Sequence, residues 1–188
     1  MALNLHQGYL YSTIKLFTYY KSLGEKAIAQ LEEKQLFKQF NEDSNSISTV
    51  VNHLHGNMLS RWKDFLISDG EKPWRNRDQE FEEIQGSKDA MMKNWEEGWD
   101  CLLQTLNSLT PEDMEKIIYI RNEGHTVYEA ILRQTAHYAY HVGQIVYAAK
   151  ILKEGAWSSL SIPKNASKVY NQKKFEGKTQ DGFFTDRV

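Results

Sequence analysis

The chain has 188 residues, 40% of them hydrophobic and 26% charged, which are the values of an ordinary globular domain. Its formal net charge is only -2 and it contains no long run of Lys and Arg, which argues against binding to nucleic acid or to an anionic membrane. A single cysteine, no signal-peptide pattern and no apolar stretch of about 18 residues predict a cytoplasmic protein without disulfides or membrane spans.

Apolar residues recur every three or four positions in the first half of the chain and predict two long helices. The first covers about residues 5–33, although Gly24 inside it costs about 1 kcal/mol relative to Ala. The second follows Ser46, a residue type that caps helix N-termini well. Its apolar face consists of Ile47, Val51, Leu54, Met58, Trp62 and Phe65.

A long polar connection follows over residues 68–86, and connections of this length often carry function. A third helix is predicted after Ser87, which is again a good cap. Its apolar stripe consists of Met91, Trp95, Trp99, Leu102 and Leu106. Thr110 and Pro111 then predict one short helical turn, because Pro is favoured at the first helical position.

The second half of the chain predicts a small hairpin over residues 116–127 and then a fourth long helix over about residues 127–153. Gly155 lies where a helix C-cap is expected. The fold class is therefore all-α: a four-helix bundle with a long crossover connection, occupying residues 1–155. Residues 156–188 form an extension, expected to be irregular and to pack on the bundle or on a partner subunit.

Two histidines in the middle of the fourth helix indicate a metal site. His137 and His141 are four residues apart, so their side chains share one helix face and can reach the same ion. Their neighbours on that face, including Gln134 and Gln144, are small or polar. A tightly packed core would leave the imidazole nitrogens without partners, whereas a metal-containing cavity would satisfy them.

A third ligand has to come from another helix, and the second helix offers His53 and His55. Helical periodicity slightly favours His55, which lies nearer the apolar stripe. His53 lies on its flank. The residues alone leave this choice open.

The histidine segments resemble those of the DinB-like superfamily of bacterial metal-binding four-helix bundles. Two segments carry the resemblance: Ser46-Ile-Ser-Thr-Val-Val-Asn-His53-Leu and His137-Tyr-Ala-Tyr-His141-Val-Gly-Gln-Ile. It covers about residues 5–153, and the loop at 70–78 is similar to one branch of unassigned function. Carried onto this chain, the resemblance implies that His53, His137 and His141 are the metal ligands.

Several polar side chains near these histidines are candidates for binding a substrate. Asn57 and Arg61 lie one and two turns beyond His53, and Arg75 and Arg77 lie in the long connection. Gln144 follows His141 on the last helix. The alternative for the arginines is an ordinary role as solvated charges at helix ends.

Three histidine ligands leave coordination positions open, as in reactive rather than structural sites. Histidine suits several divalent ions; zinc or nickel is expected first, with iron or manganese as alternatives. The resemblance implies a transferase that uses a low-molecular-weight thiol such as bacillithiol. The alternatives are a metal-dependent hydrolase, although no Asp or Glu accompanies the histidine pair at a suitable spacing, and a non-catalytic stress-response protein. The abundant aromatic residues, many in the tail, predict a homodimer.

Overall fold

The computed structural model describes residues 5–82, 86–177 and 182–187. Within these ranges the elements are α1 (Leu5–Ile28), α2 (Glu33–Leu36), α3 (Ile47–Trp62), α4 (Lys88–Ser108), β1 (Ile117–Ile120), β2 (Glu123–Thr126), α5 (Val127–Leu152) and α6 (Ser167–Glu176). Short 3₁₀ helices lie at Asp78–Phe81, Pro111–Asp113 and Phe184–Arg187. The predicted all-α bundle, with an antiparallel hairpin before its last long helix, is confirmed.

The long helices pack as two close pairs, α3 with α4 and α1 with α5, and α3 also contacts α5. Three buried rings join α1, α4 and α5 at the centre. The ring centroid of Phe17 lies 6.3 Å from Trp99 and 5.8 Å from Tyr138, and these last two are 6.0 Å apart. The contact between α3 and α5 is what brings the histidines of the two helices together.

Side chains cap the helices that carry the histidines, as the sequence predicts. Ser46 accepts a hydrogen bond from the Thr49 backbone N–H, and Thr126 forms a capping box with Glu129. Each such cap typically contributes about 1 kcal/mol. The caps fix where α3 and α5 begin, and therefore which helix face each histidine occupies.

Gly24 lies where α1 comes close to α4. A Cβ atom built on Gly24 would lie 2.5 Å from the Cη2 atom of Trp95, much closer than real contacts allow. Although helix propensity favours Ala here by about 1 kcal/mol, we expect Gly24→Ala to lower the free energy of unfolding by about 1–3 kcal/mol. Denaturant unfolding measures this change.

Gly8 provides the control in the same helix. Outside the local helix backbone, no atom of the described residues lies within 4 Å of a Cβ built there, so Gly8→Ala should leave stability unchanged or raise it slightly. Equal gains in stability for the two variants would contradict the close approach of α1 and α4.

Two segments differ from the sequence expectation. The first helix ends at Ile28, not near residue 33, because α2 starts its own capping box at Glu32 and the turn buries both Leu31 and Leu36. The tail is more regular than expected, since α6 forms within it, although none of the α6 residues is buried. No helix in the described part of the chain has the length and apolar character needed to cross a membrane.

Candidate metal centre

Three histidines meet between α3 and α5. His53 comes from α3, and His137 and His141 come from consecutive turns of α5. The Nε2 atom of His137 lies 3.3 Å from that of His53 and 3.1 Å from that of His141. His55, the other candidate on α3, lies elsewhere, with its Nε2 atom 3.2 Å from the Glu97 carboxylate.

The opposite ring nitrogen of each histidine faces a side-chain oxygen. The Nδ1 contacts are His53 with Glu80 at 2.9 Å, His137 with Gln134 at 3.3 Å and His141 with Gln144 at 2.8 Å. Each of these oxygens can accept a hydrogen bond from Nδ1–H. The neutral ring then carries its free lone pair on Nε2, and such partners are typical of histidines that bind metals.

The cluster fits a metal ion. One nitrogen of each ring lies within 4.8 Å of the other two, and ligands held at about 2.0–2.1 Å from one ion would lie roughly 3.0–3.4 Å apart. If all three Nδ1 atoms carry protons, the facing Nε2 atoms are all acceptors, and a cation satisfies them together. The three histidines can therefore hold a metal ion.

Burial keeps the imidazoles of His137 and His141 neutral. It lowers the pKa of His137 to about 3, with further contributions from His141 and His53. It also lowers the pKa of His141. Because only the neutral ring can bind a metal, the site is prepared for binding at neutral pH.

The lowered pKa values predict how metal retention depends on pH. Ordinary imidazoles, with a pKa near 6.5, would lose their metal as the pH falls through about 6.5. Since protons compete less well for rings with a lower pKa, the bound metal should persist below that value. Metal content after dialysis at steps from about pH 7.5 to about pH 4.5 tests this, and half-release at or above about pH 6.5 would contradict it.

Glu80 is a residue of the site that the sequence did not reveal. It lies in the 3₁₀ helix Asp78–Phe81, 7% exposed, and contacts both His53 and Arg75. The Arg75 guanidinium donates to both carboxylate oxygens, from Nε at 2.7 Å and from Nη2 at 2.9 Å. Burial alone would raise the pKa of Glu80, but the hydrogen bonds from Arg75 and His53 lower it, so the carboxylate stays ionised.

Gly56 makes room for this carboxylate one turn after His53 on α3. A Cβ atom on Gly56 would collide with Oε1 of Glu80 and lie 2.8 Å from its Cδ atom. Glycine here therefore lets the long connection approach α3 closely enough for Glu80 to reach His53.

The histidines line a cavity of about 400 Å³. Four residues predicted to bind substrate also line it: Asn57, Arg61, Arg75 and Arg77. Gln144 does not; it supports His141 from behind. Four further lining residues were not predicted: Phe81, Arg121, Arg133 and Tyr140. Arg133 lies four residues before His137, so helical spacing could have indicated it, whereas nothing in the sequence places the hairpin residue Arg121 here.

Some of these polar groups already have partners. Asn57 accepts a hydrogen bond from the Tyr138 hydroxyl at 3.0 Å. The Arg61 guanidinium donates to the Gly70 carbonyl and contacts Glu71 at 3.2 Å; its burial lowers its pKa. Arg61 and Arg75 are thus held in the cavity wall.

The fold and the site define a helical-bundle protein with a three-histidine cluster able to hold a metal ion. The chain belongs to the family described as "Protein of unknown function (DUF1572)", whose sequence model matches residues 4–166. The matched range contains the four long helices and all three histidines, and it ends just before α6. Comparison with curated proteins gives no match.

Proposed function

We propose that the protein binds a divalent metal ion through His53, His137 and His141 and is a metal-dependent transferase using a low-molecular-weight thiol. The observation that carries the proposal is the convergence of three Nε2 atoms, with each Nδ1 atom held by a side-chain oxygen. Zinc or nickel is the proposed ion, with iron or manganese as alternatives.

The thiol part of the proposal has two supports. The first is the resemblance to the DinB-like superfamily, whose characterised members include transferases that use bacillithiol or mycothiol. The second is that Cys101, the chain's only cysteine, is half-buried outside the cavity, and burial raises its pKa. If the reaction uses a thiol, that thiol therefore has to come from a small molecule. A bound divalent ion would keep such a thiol deprotonated at neutral pH.

In such a transfer, the thiol sulfur forms a bond to the electrophilic carbon as that carbon loses its leaving group. The leaving group takes the electron pair of the broken bond, and the proton of the thiol passes to solvent. We propose that Asn57 and the arginines of the cavity, Arg61, Arg75 and Arg77, orient the reactants. Gln144 supports this arrangement by holding His141 in the required tautomer.

The hydrolase alternative has less support. A hydrolase would need a general base near the metal, yet none of the described residues that line the cavity is Asp or Glu. Glu80 and Glu71 lie just behind the lining, where both contact arginines. A non-catalytic metal-binding protein is the other alternative.

Cobalt-substituted protein tests the thiol proposal. Adding a low-molecular-weight thiol should produce a thiolate-to-cobalt absorption band, while the corresponding S-methyl thioether, which cannot ionise, should not. The His141→Ala variant, which should not retain cobalt, serves as the control. If cobalt stays bound and no biological thiol alters its spectrum, the transferase proposal is wrong and the hydrolase and non-catalytic alternatives move ahead of it.

A further inference from the structure

The wall of the metal cavity is strongly basic. Five arginines line it: Arg61, Arg75, Arg77, Arg121 and Arg133. Within the described ranges, two carboxylates contact these guanidinium groups. Glu71 contacts three of them at 3.1–3.5 Å, and Glu80 pairs with Arg75. Among the described residues, five guanidinium groups face these two carboxylates and the nearby Asp69, which leaves an excess of positive charge around a cavity that also holds the histidines.

Two of these arginines have no acidic partner within the described ranges. Arg77 lies over the ring of Phe81, 5.1 Å from its centroid, and Arg133 lies on α5 one turn before His137. Both are exposed, and neither forms an ion pair with a described residue. They are therefore free to bind a ligand that enters the cavity.

We infer that the cavity binds a small molecule carrying at least two negative charges, and that Arg77 and Arg133 recognise its carboxylate or phosphate groups. The guanidinium fork matches both groups, each of which can accept two parallel hydrogen bonds. This inference rests on the proposed function, because it places the substrate in the metal cavity and names its class. Arg61 and Arg75 already donate hydrogen bonds to neighbouring groups of the cavity wall, so they contribute to binding only by making the electrostatic potential in the cavity more positive.

Calorimetric titration of the chelator-treated protein tests this inference without the metal. Succinate and inorganic phosphate are the doubly charged probes, and acetate is the singly charged one. At least one doubly charged probe should bind about tenfold or more tightly than acetate, and comparing the two shows which group the site prefers. Arg77→Gln and Arg133→Gln should each weaken binding by about tenfold or more.

Lys93→Gln is the matched control, because it removes one exposed positive charge from α4 outside the cavity. Its effect should stay within about twofold. The inference would be overturned if neither succinate nor phosphate bound more tightly than acetate. It would also be overturned if Lys93→Gln weakened their binding as much as the two arginine variants do. If the anions bind as expected but thiols leave the cobalt spectrum unchanged, the transferase proposal fails while the anion-binding inference stands.

A different observation concerns the outer face of α5, which carries an apolar stripe with spacings of three or four residues. The α5 stripe consists of Leu132, Ala136, Tyr140, Gly143, Tyr147 and Ile151, of which Tyr140 also lines the metal cavity. Its four large side chains are 44–69% exposed, and beyond the neighbouring helix backbone no atom in the described part of the chain lies within 4 Å of a Cβ built on Gly143. Such a continuous exposed stripe is unusual on a helix of a monomer.

We propose that the α5 stripe binds a second copy of this chain, with the two helices antiparallel about a two-fold axis between positions 141 and 142. The stripe is self-complementary in this register. The opposed pairs are Tyr140 with Gly143, Tyr147 with Ala136 and Leu132 with Ile151. Each tyrosine ring therefore meets a small residue, as packing at a symmetric interface requires.

The proposed pairing rests on packing and not on charge, because this register places Glu129 opposite Glu154. Arg133, which would oppose Lys150, lines the metal cavity instead. The predicted homodimer thus finds its proposed interface on α5, where the sequence analysis had looked to the aromatic tail.

Sedimentation tests this interface. The wild-type chain should sediment at twice its mass of 21.9 kDa, and Gly143→Leu should sediment as a 21.9 kDa monomer. Gly8→Leu adds the same side chain in open space on α1 and should remain dimeric. A wild-type monomer at every concentration, or a dimer that persists in Gly143→Leu, would overturn the proposal.

Disulfide cross-linking tests the register itself. In a Cys101→Ala background, Gly143→Cys places two thiols close to the two-fold axis and should give a covalent dimer on oxidation. Lys150→Cys is the control, because its two copies would be about 25 Å apart along the helix axes. Cross-linking through residue 150 but not through residue 143 would contradict the register.

Discussion

Replacing His141 with alanine should lower the affinity for divalent metal by at least about 100-fold, and His137→Ala should do the same. Each substitution removes one of three nitrogen ligands from a cluster in which the Nε2 atom of His137 lies 3.1–3.3 Å from those of His53 and His141. Two remaining imidazoles hold an ion poorly, because the third position passes to water. Competition against a metallochromic chelator measures the affinity of each variant.

His125→Ala is the control for this pair, since His125 lies in β2 and outside the cluster. Its metal affinity should equal that of the wild-type chain. Wild-type affinity in both His137→Ala and His141→Ala would show that the metal is bound elsewhere.

Glu80→Ala should lower the free energy of unfolding by about 3–5 kcal/mol, because it leaves the buried Arg75 guanidinium with only its longer contact to Glu71 at 3.5 Å. The Arg75 side chain is only 2% exposed, and its fork is bound to Glu80. Metal affinity should also fall by about 10- to 100-fold, since the His53 ring loses the acceptor that orients it.

Two further variants separate these effects. Glu80→Gln keeps a hydrogen-bond acceptor for His53 but removes the charge that Arg75 needs, so stability should fall more than metal affinity. The double variant Glu80→Ala with Arg75→Ala no longer contains the uncompensated charge and should recover part of the lost stability. A cost below about 1 kcal/mol for Glu80→Ala would contradict the buried pair.

Much of the fold could be predicted because its signals are local. Apolar spacing indicated the four long helices, and Ser46 and Thr126 marked where two of them begin. The end of the first helix was placed too late, because the buried turn after Ile28 depends on tertiary packing. From the sequence, Gly24 only lowers the helix propensity of α1. The close approach of Trp95 explains why glycine is needed at this position.

The candidate site could be predicted in part for the same reason. His137 and His141 are a local pair on one helix, whereas the choice of His53 needed the family resemblance. Glu80 is 27 residues from His53 in irregular backbone, where no periodicity relates one residue to another. Glu80 was therefore missed because its position depends on how the long connection folds against Gly56, and sequence spacing does not reveal this.

Elemental analysis of two purified variants tests the proposed metal site most directly. After loading with zinc or nickel, His55→Ala should retain about one divalent ion per chain, as should the wild-type chain, while His53→Ala should retain little or none. This follows because His53 faces the α5 pair and His55 faces Glu97. An ion lost from His55→Ala but kept in His53→Ala, or a wild-type chain that binds none, would contradict the proposed metal site.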